Sequence, residues 1–243
     1  MKHYEYVKKS EYMPVKKELI KLINLVQDDL RKKFTFRFDF IGSSSRNMIT
    51  CDFSTNEGYD FDVNIEVNDP DERYSAKELK KLLMESFDKI IDETQGIDDR
   101  YGNIYRHCRY ESLLHPVNMD SFNNLKYSHC ENSTRVFTIK VHESNKAKIK
   151  YGCDFAIVNN FIEKKEKKQQ YIHFNKSTNP PSFNWQLQEK GYNISKKEQF
   201  ISKRKLVHEL KKVYLNKKNN NMYNKKSRSL YAEAVNEVYN KYQ

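Results

Sequence analysis

The sequence predicts an α+β fold, with a mixed β-sheet, a long N-terminal helix and a helical C-terminal region. Three observations carry that prediction. Apolar residues recur at helical spacing between Pro14 and Leu30. A period of two then takes over, first in Phe34 to Phe40 and again in Asp60 to Val67. Beyond the break at Asn179-Pro180-Pro181 the helical period returns.

Taken in order, Pro14 is expected to open the first helix, because its missing N–H costs nothing in a first turn. Val15, Leu19, Ile23, Val26 and Leu30 line one face of that helix. In Phe34-Thr35-Phe36-Arg37-Phe38-Asp39-Phe40 every second residue is Phe, which makes a strand with one aromatic face running into Ile41-Gly42-Ser43-Ser44-Ser45-Arg46. The next strand puts Phe61, Val63, Ile65 and Val67 on a core face and Asp60, Asp62, Asn64 and Glu66 on the other. Asn68-Asp69-Pro70-Asp71 ends it as a turn. Ser75-Ala76-Lys77-Glu78 reads as a capping box, followed by Leu79, Leu83, Phe87, Ile90 and Ile91 on one helical face. Residues 96–133 show no period and are expected to be loop with short elements. Thr134 to Val141 and Lys146 to Val158 form a hairpin, and Gln169 to Phe174 pairs with its second strand across the charged turn Glu163 to Lys168. Helices are expected at 195–216 and 227–242. The organisation predicted is a core over residues 1–175 with a basic helical region, 176–243, packed on it.

Composition narrows the class. The chain has 243 residues, 37% hydrophobic and 32% charged. With 17 Tyr and 14 Phe it is too aromatic to stay disordered. No apolar stretch approaches the roughly 20 residues that span a bilayer, and the N-terminus shows no apolar secretory segment. Four Cys without a tight framework suit a reducing compartment, so a cytoplasmic protein without a membrane partner is expected. The formal net charge is +11. Nearly all of the excess lies between Lys196 and Arg228, where twelve basic residues meet only Glu198 and Glu209. Such a stretch either meets a polyanion (a triphosphate, RNA or DNA) or is a solvated Lys-rich helix.

Chemistry concentrates at three places. Asp60 and Asp62 leave the same strand face with Cα atoms about 6.5–7 Å apart, so both can converge on hard, oxygen-seeking cations. Gly42 lets the backbone turn sharply beside a ligand, and the hydroxyls of Ser43, Ser44 and Ser45 at the start of a short helix suit phosphate oxygens. Arg46 adds a fixed positive fork. Asp154 is a lone charge in the apolar strand Tyr151 to Val158, where a cation is the economical partner. The alternative is that Asp60 and Asp62 lie on a solvated edge and Asp154 pairs with a lysine such as Lys148.

Gly42-Ser43, then Asp60-x-Asp62 on the next strand and Asp154 on a later one, resembles the DNA polymerase beta-type nucleotidyltransferase superfamily. The order of elements looks most like its minimal bacterial members, related to oligoadenylate and cyclic GMP–AMP synthases, and it covers residues 14–160. Ser43-x-x-Arg46 is closer to the small-molecule nucleotidyltransferases. The resemblance implies a nucleotidyltransferase-like fold in which Gly42 and Ser43 hold the β- and γ-phosphates of a nucleoside triphosphate. It also implies that Asp60 and Asp62 bind two Mg²⁺ (or Mn²⁺), and that Asp154 completes the site that activates an attacking hydroxyl. The expected reaction moves a nucleoside monophosphate to a nucleotide or an RNA end. A small-molecule adenylyltransferase and a non-catalytic nucleotide- or RNA-binding module are the competing readings. The spacer from Ser43 to Asp60 is long and the Gly-Thr that follows Gly-Ser in the family is absent here; Thr50 or Arg46 stands in.

Lys203 and Lys205, with Arg204 between them, lie about two turns from Lys211-Lys212 and are expected to reach a triphosphate or an acceptor backbone. Tyr192 and Trp185 are the aromatics expected to stay partly open for a base to stack on. His107-Cys108 and His129-Cys130 offer four zinc-type ligands, but adjacent residues seldom both reach one ion, so buried Cys beside ordinary His is expected. Cys51 and Cys153 are expected in the core.

Overall fold

The period-two segments pair into one mixed sheet, seen in a computed structural model that describes residues 3–55, 57–69, 71–95, 97–98, 104–105, 125–143, 149–189 and 191–243. The chain opens with β1 (Tyr4–Tyr6) and α1 (Lys9–Leu30), followed by β2 (Thr35–Ile41), a single helical turn α2 (Gly42–Ser45), β3 (Thr50–Asp52), β4 (Tyr59–Asn68) and α3 (Ala76–Gln95). The pair β5 (Ile97–Asp98) and β6 (Ile104–Tyr105) comes next, then β7 (Leu125–Tyr127), β8 (Glu131–Asn132), β9 (Phe137–Glu143), β10 (Ile149–Glu163), β11 (Glu166–Asn175) and β12 (Ser182–Leu187). Three helices end the chain: α4 (Ser195–Lys203), α5 (Val207–Asn219) and α6 (Ser227–Tyr242).

The sheet runs β12-β11-β10-β4-β2, with β9 beside the first half of β10 and β7 and β8 on β9. β10 and β4 are parallel; the other pairings in this sheet are antiparallel. One face carries Phe61, Val63 and Ile65 of β4, Phe137 and Ile139 of β9, and Phe155 and Ile157 of β10, all buried. Against it lie the apolar stripes of α1 (Leu19, Ile23, Val26) and α3 (Leu83, Phe87, Ile91). The ring of Phe155 sits 4.7 Å from that of Phe87 and 5.0 Å from that of Phe137. Burying side chains of this size contributes about 1.5–3 kcal/mol each. The predicted capping box is present: Ser75 N–H donates to Glu78 Oε2 at 2.8 Å, and Glu78 N–H donates to Ser75 Oγ at 3.3 Å.

The opposite sheet face is polar and looks across a cavity to the C-terminal helices. These helices form a second apolar cluster, with Leu210, Tyr214, Leu230, Val235 and Val238 around Met48. β1 straps them to the core. It pairs with β3, Asn219 bonds both the N–H and the carbonyl of Tyr4, and Tyr6 Oη donates to Lys211 O at 2.8 Å. No helix among the described residues is long and apolar enough to cross a membrane.

Several boundaries differ from expectation. α1 starts at Lys9, so Pro14 lies inside it and not at its opening. The alternation Phe183, Trp185, Leu187 makes β12, which pairs with β11 and carries the sheet past residue 175. The expected helix over 195–216 breaks at Lys205, whose φ of 59° no helix accommodates. His107, Cys108 and Lys148 lie outside the described residues. His129 Nε2 lies 2.8 Å from Asp92 Oδ1, and Cys130 Sγ donates to Met84 O. Cys51 and Cys153 are buried, as expected.

Phe155→Ala is expected to cost about 3–5 kcal/mol, because the rings of Phe87 and Phe137 lose their common partner. Urea unfolding measures it, and a loss below about 1 kcal/mol contradicts this packing.

Candidate active site

The site begins with register. β4 and β10 run parallel with Asp62 opposite Asp154 and Asp60 opposite Gly152, so the three carboxylates share one sheet face despite their separation in sequence. All three line a cavity of about 760 Å³ between the sheet and the C-terminal helices. On the far side of β10, Thr138 of β9 stands opposite Asp154 and its Oγ1 donates to Asp154 Oδ1 at 2.5 Å.

Two glycines make room for these acids. Gly42 has φ +64°, and a Cβ there would lie 2.4 Å from Asp62 Oδ2. A Cβ on Gly152 would lie 2.6 Å from Asp60 Oδ1. Gly42 was expected to admit a ligand; its nearest neighbour is Asp62 itself. Gly152 was not singled out, although its place two residues before Asp154 on the same face was the available signal.

Electrostatics follow from this crowding. Burial first, then the charges of Asp154 and Asp62, push the Asp60 carboxyl up to about 6. Burial and the charge of Asp154 also raise Asp62, with Arg46 opposing. The donors are all oxygens, half-buried at Asp62 and Asp154 and exposed at Asp60, and they repel one another, which fits hard divalent cations. Among the described residues no group of three or more His, Cys, Asp and Glu side chains is drawn together as around an ion.

The turn after β2 forms the next wall. Gly42, Ser43 and Arg46 line the cavity, and so does Thr50. Ser44 does not: it is buried and its Oγ donates to Ile41 O at 2.9 Å, so its hydroxyl is not offered to a phosphate. Ser45 Oγ is likewise turned onto Gly42 O. Arg46 ties the turn to the helices. Its Nη1 donates to Gly42 O at 3.0 Å, its guanidinium lies 4.1 Å over the Tyr231 ring, and Nε is 3.7 Å from Glu198 Oε1.

The helical wall corrects the choice of cations. Lys203 and Lys205 are exposed and stand outside the cavity. Ile201 is the buried residue of α4, so Lys203, two residues on, points about 200° away round the helix, and Lys205 lies in the left-handed turn beyond it. Lys218 and Arg228 line the cavity instead. Lys218 donates to Thr50 Oγ1, and its charge reaches Asp60. The signal for Lys218 was its spacing from the buried Leu210 and Tyr214, which puts it on the same helix face. Tyr192 is 52% exposed, lines the cavity, and its Oη is 2.7 Å from Ser229 Oγ. Trp185 belongs to a different cavity of about 500 Å³, beside Tyr74 at the start of α3.

The sequence matches no family model, and no curated protein matches it in sequence. Solved structures match it in fold. Vibrio cholerae DncV bound to GTP gives a TM-score of 0.51 at 18% identity, covering 98% of this chain and 53% of that one. DncV, a cyclic AMP-GMP synthase, in complex with the linear intermediate 5′-pppA(3′,5′)pG gives 0.50 at 15% identity, covering 98% and 55%. This chain therefore spans about half the length of the protein it matches, and the likeness is one of fold. That fold, a mixed α+β sheet with flanking helices, is the one the resemblance in Gly42-Ser43, Asp60-x-Asp62 and Asp154 implied.

The raised Asp60 carboxyl makes a testable statement about stability. An unfolded Asp loses its proton near 3.9, so the folded chain holds this proton more tightly. The stability it contributes is full at low pH and lost as pH rises through about 6. At pH 7.5 in chelator, Asp60→Asn is expected to relieve on the order of 1 kcal/mol, because Asp60 is exposed and solvent screens much of the repulsion, and to raise Tm by roughly 2–4 °C. The gain shrinks toward pH 4, and Mg²⁺ stabilises wild type more than the variant. An unchanged Tm at pH 7.5 contradicts the crowding of carboxylates.

Proposed function

We propose that the chain is a nucleotidyltransferase that moves a nucleoside monophosphate from a nucleoside triphosphate to a hydroxyl. The observation that carries this reading is the parallel register placing Asp60, Asp62 and Asp154 on one face of a cavity whose other walls hold Gly42, Ser43, Arg46, Lys218 and Arg228. A pure binding module has no use for three crowded carboxylates that cost it stability beside groups suited to phosphate.

Asp60, Asp62 and Asp154 would hold divalent cations, Mg²⁺ or Mn²⁺. When bound, such cations supply charge stabilisation at the α-phosphorus and the leaving pyrophosphate. The chain's own groups do the positioning. Ser43 offers a hydroxyl whose partner is not taken by the turn, and Arg46 and Lys218 present cations toward the triphosphate from two walls. The oxygen of the acceptor hydroxyl bonds to the α-phosphorus as the bond from that phosphorus to the bridging oxygen breaks. Pyrophosphate departs with that oxygen, and Asp154, on the strand beside that of Asp60 and Asp62, takes up the hydroxyl proton. The Tyr192 ring, with its hydroxyl anchored and its surface half open, is placed to stack a base.

A second nucleotide is the acceptor that the site favours. The cavity is closed on one side by α4 to α6, and several cations of the basic stretch are engaged within the protein: Lys211 over Tyr6, Lys217 with Glu237, Lys225 with Glu233. The fold likeness to a protein solved with a linear dinucleotide intermediate supports the same choice. An RNA end is the second acceptor class, supported by Lys203, Arg204 and Lys205 exposed together at the end of α4.

Incubation with each nucleoside triphosphate and Mg²⁺ or Mn²⁺, with and without RNA, tests the proposal by nucleotide loss and pyrophosphate release. Wild type is expected to release pyrophosphate, and Asp62→Asn to lose at least about 10³-fold in kcat with its far-UV dichroism intact. Equal turnover in Asp62→Asn would overturn the reading, and turnover that appears only with RNA would move the acceptor to the second class.

A further inference from the structure

We infer that Thr138 is a positioning residue for Asp154. Three observations meet there. The alternation in β9 buries Phe137, Ile139 and Val141 and sends Thr138 and Lys140 to the polar face, so a hydroxyl and not a methyl-only side chain stands beside the carboxylates. The antiparallel register sets Thr138 directly opposite Asp154, while Asp62 stands opposite Asp154 on the other side. The hydroxyl then donates to Asp154 Oδ1 at 2.5 Å, leaving the carboxylate still lining the cavity.

Physically, this bond removes a degree of freedom at Asp154. Asp60 is flanked by the gap over Gly152 and Asp62 by the turn at Gly42. Without Thr138 the Asp154 carboxylate would be free to swing away from the repulsion of Asp62. A hydroxyl donor also balances part of the negative charge without supplying a competing cation, as partners behind a metal-ligating carboxylate do. Threonine suits the place because its χ1 is restricted on a strand, so the donor stays aimed.

The inference rests on the carboxylates holding a cation, and the test separates the two. Mn²⁺ binding to the full chain is measured by calorimetry or electron paramagnetic resonance, together with kcat and KM for the triphosphate. Thr138→Val, which keeps the shape and removes the donor, is expected to weaken Mn²⁺ about 10-fold and lower kcat about 10–100-fold. KM for the triphosphate stays unchanged. Thr138→Ser, which restores the donor, is expected to recover both to within about 3-fold of wild type. Thr138→Ala serves if the valine variant does not fold. Wild-type Mn²⁺ affinity in Thr138→Val or Thr138→Ala, or a serine variant as weak as valine, would overturn the role of the hydroxyl. Asp154→Asn is the control: wild-type Mn²⁺ binding and turnover in that variant would overturn the nucleotidyltransferase reading itself. Loss in Asp154→Asn alone overturns only the inference about Thr138.

Discussion

The parallel pairing of β4 with β10 is the constraint on which the rest of the molecule depends. It sets Asp62 beside Asp154 and Asp60 beside Gly152. A slip of one residue would turn Asp154 into the core and Phe155 out of it. The register is held from the other face, where Phe61, Val63 and Ile65 on β4 and Phe155 and Ile157 on β10 pack beneath α1 and α3. Apolar burial on one side of the sheet thus fixes the geometry of charge on the other.

That charge is costly, and the architecture shows how the cost is carried. Three acids share a partly buried face, and Asp60 holds its proton up to about pH 6. Around them the fold places small or donating neighbours: Gly42, Gly152 and Thr138. Cations approach from the far walls: Arg46, tied to Gly42 O and Tyr231, and Lys218, tied to Thr50. The site sits at the seam of two apolar clusters, one under the sheet and one among the C-terminal helices. A seam can be both well supported and open to solvent.

The C-terminal helices show why charge counts are a poor guide to position. Twelve basic residues lie between Lys196 and Arg228, yet Lys203 and Lys205 stand outside the cavity while Lys218 and Arg228 line it. Density of charge along a chain carries no phase. Helix phase does, and it is read from the buried residues: Leu210 and Tyr214 aim Lys218 inward, whereas Ile201 aims Lys203 out. The same reasoning applies to Trp185, which alternation assigns to the core-side face beside Tyr74 and not to the carboxylate face.

By itself the sequence determined the class of fold, most strands and helices, and the three carboxylates with Gly42 and Ser43 as candidates. It could do so because periods of 2 and 3.6 are local properties, and so is a capping box such as Ser75 to Glu78. It missed β12, because six residues after two prolines carry a weak alternation, and it placed the start of α1 at Pro14 because a proline in the second turn is locally indistinguishable from one in the first. Tertiary structure alone decided which strand lies next to β4, and therefore that Asp154, Gly152 and Thr138 meet Asp60 and Asp62. It also decided that Ser44 turns inward while Ser43 faces the cavity. Those outcomes depend on pairing between strands far apart in sequence, which is chosen by the total burial of the core and leaves no mark in the spacing of any single segment.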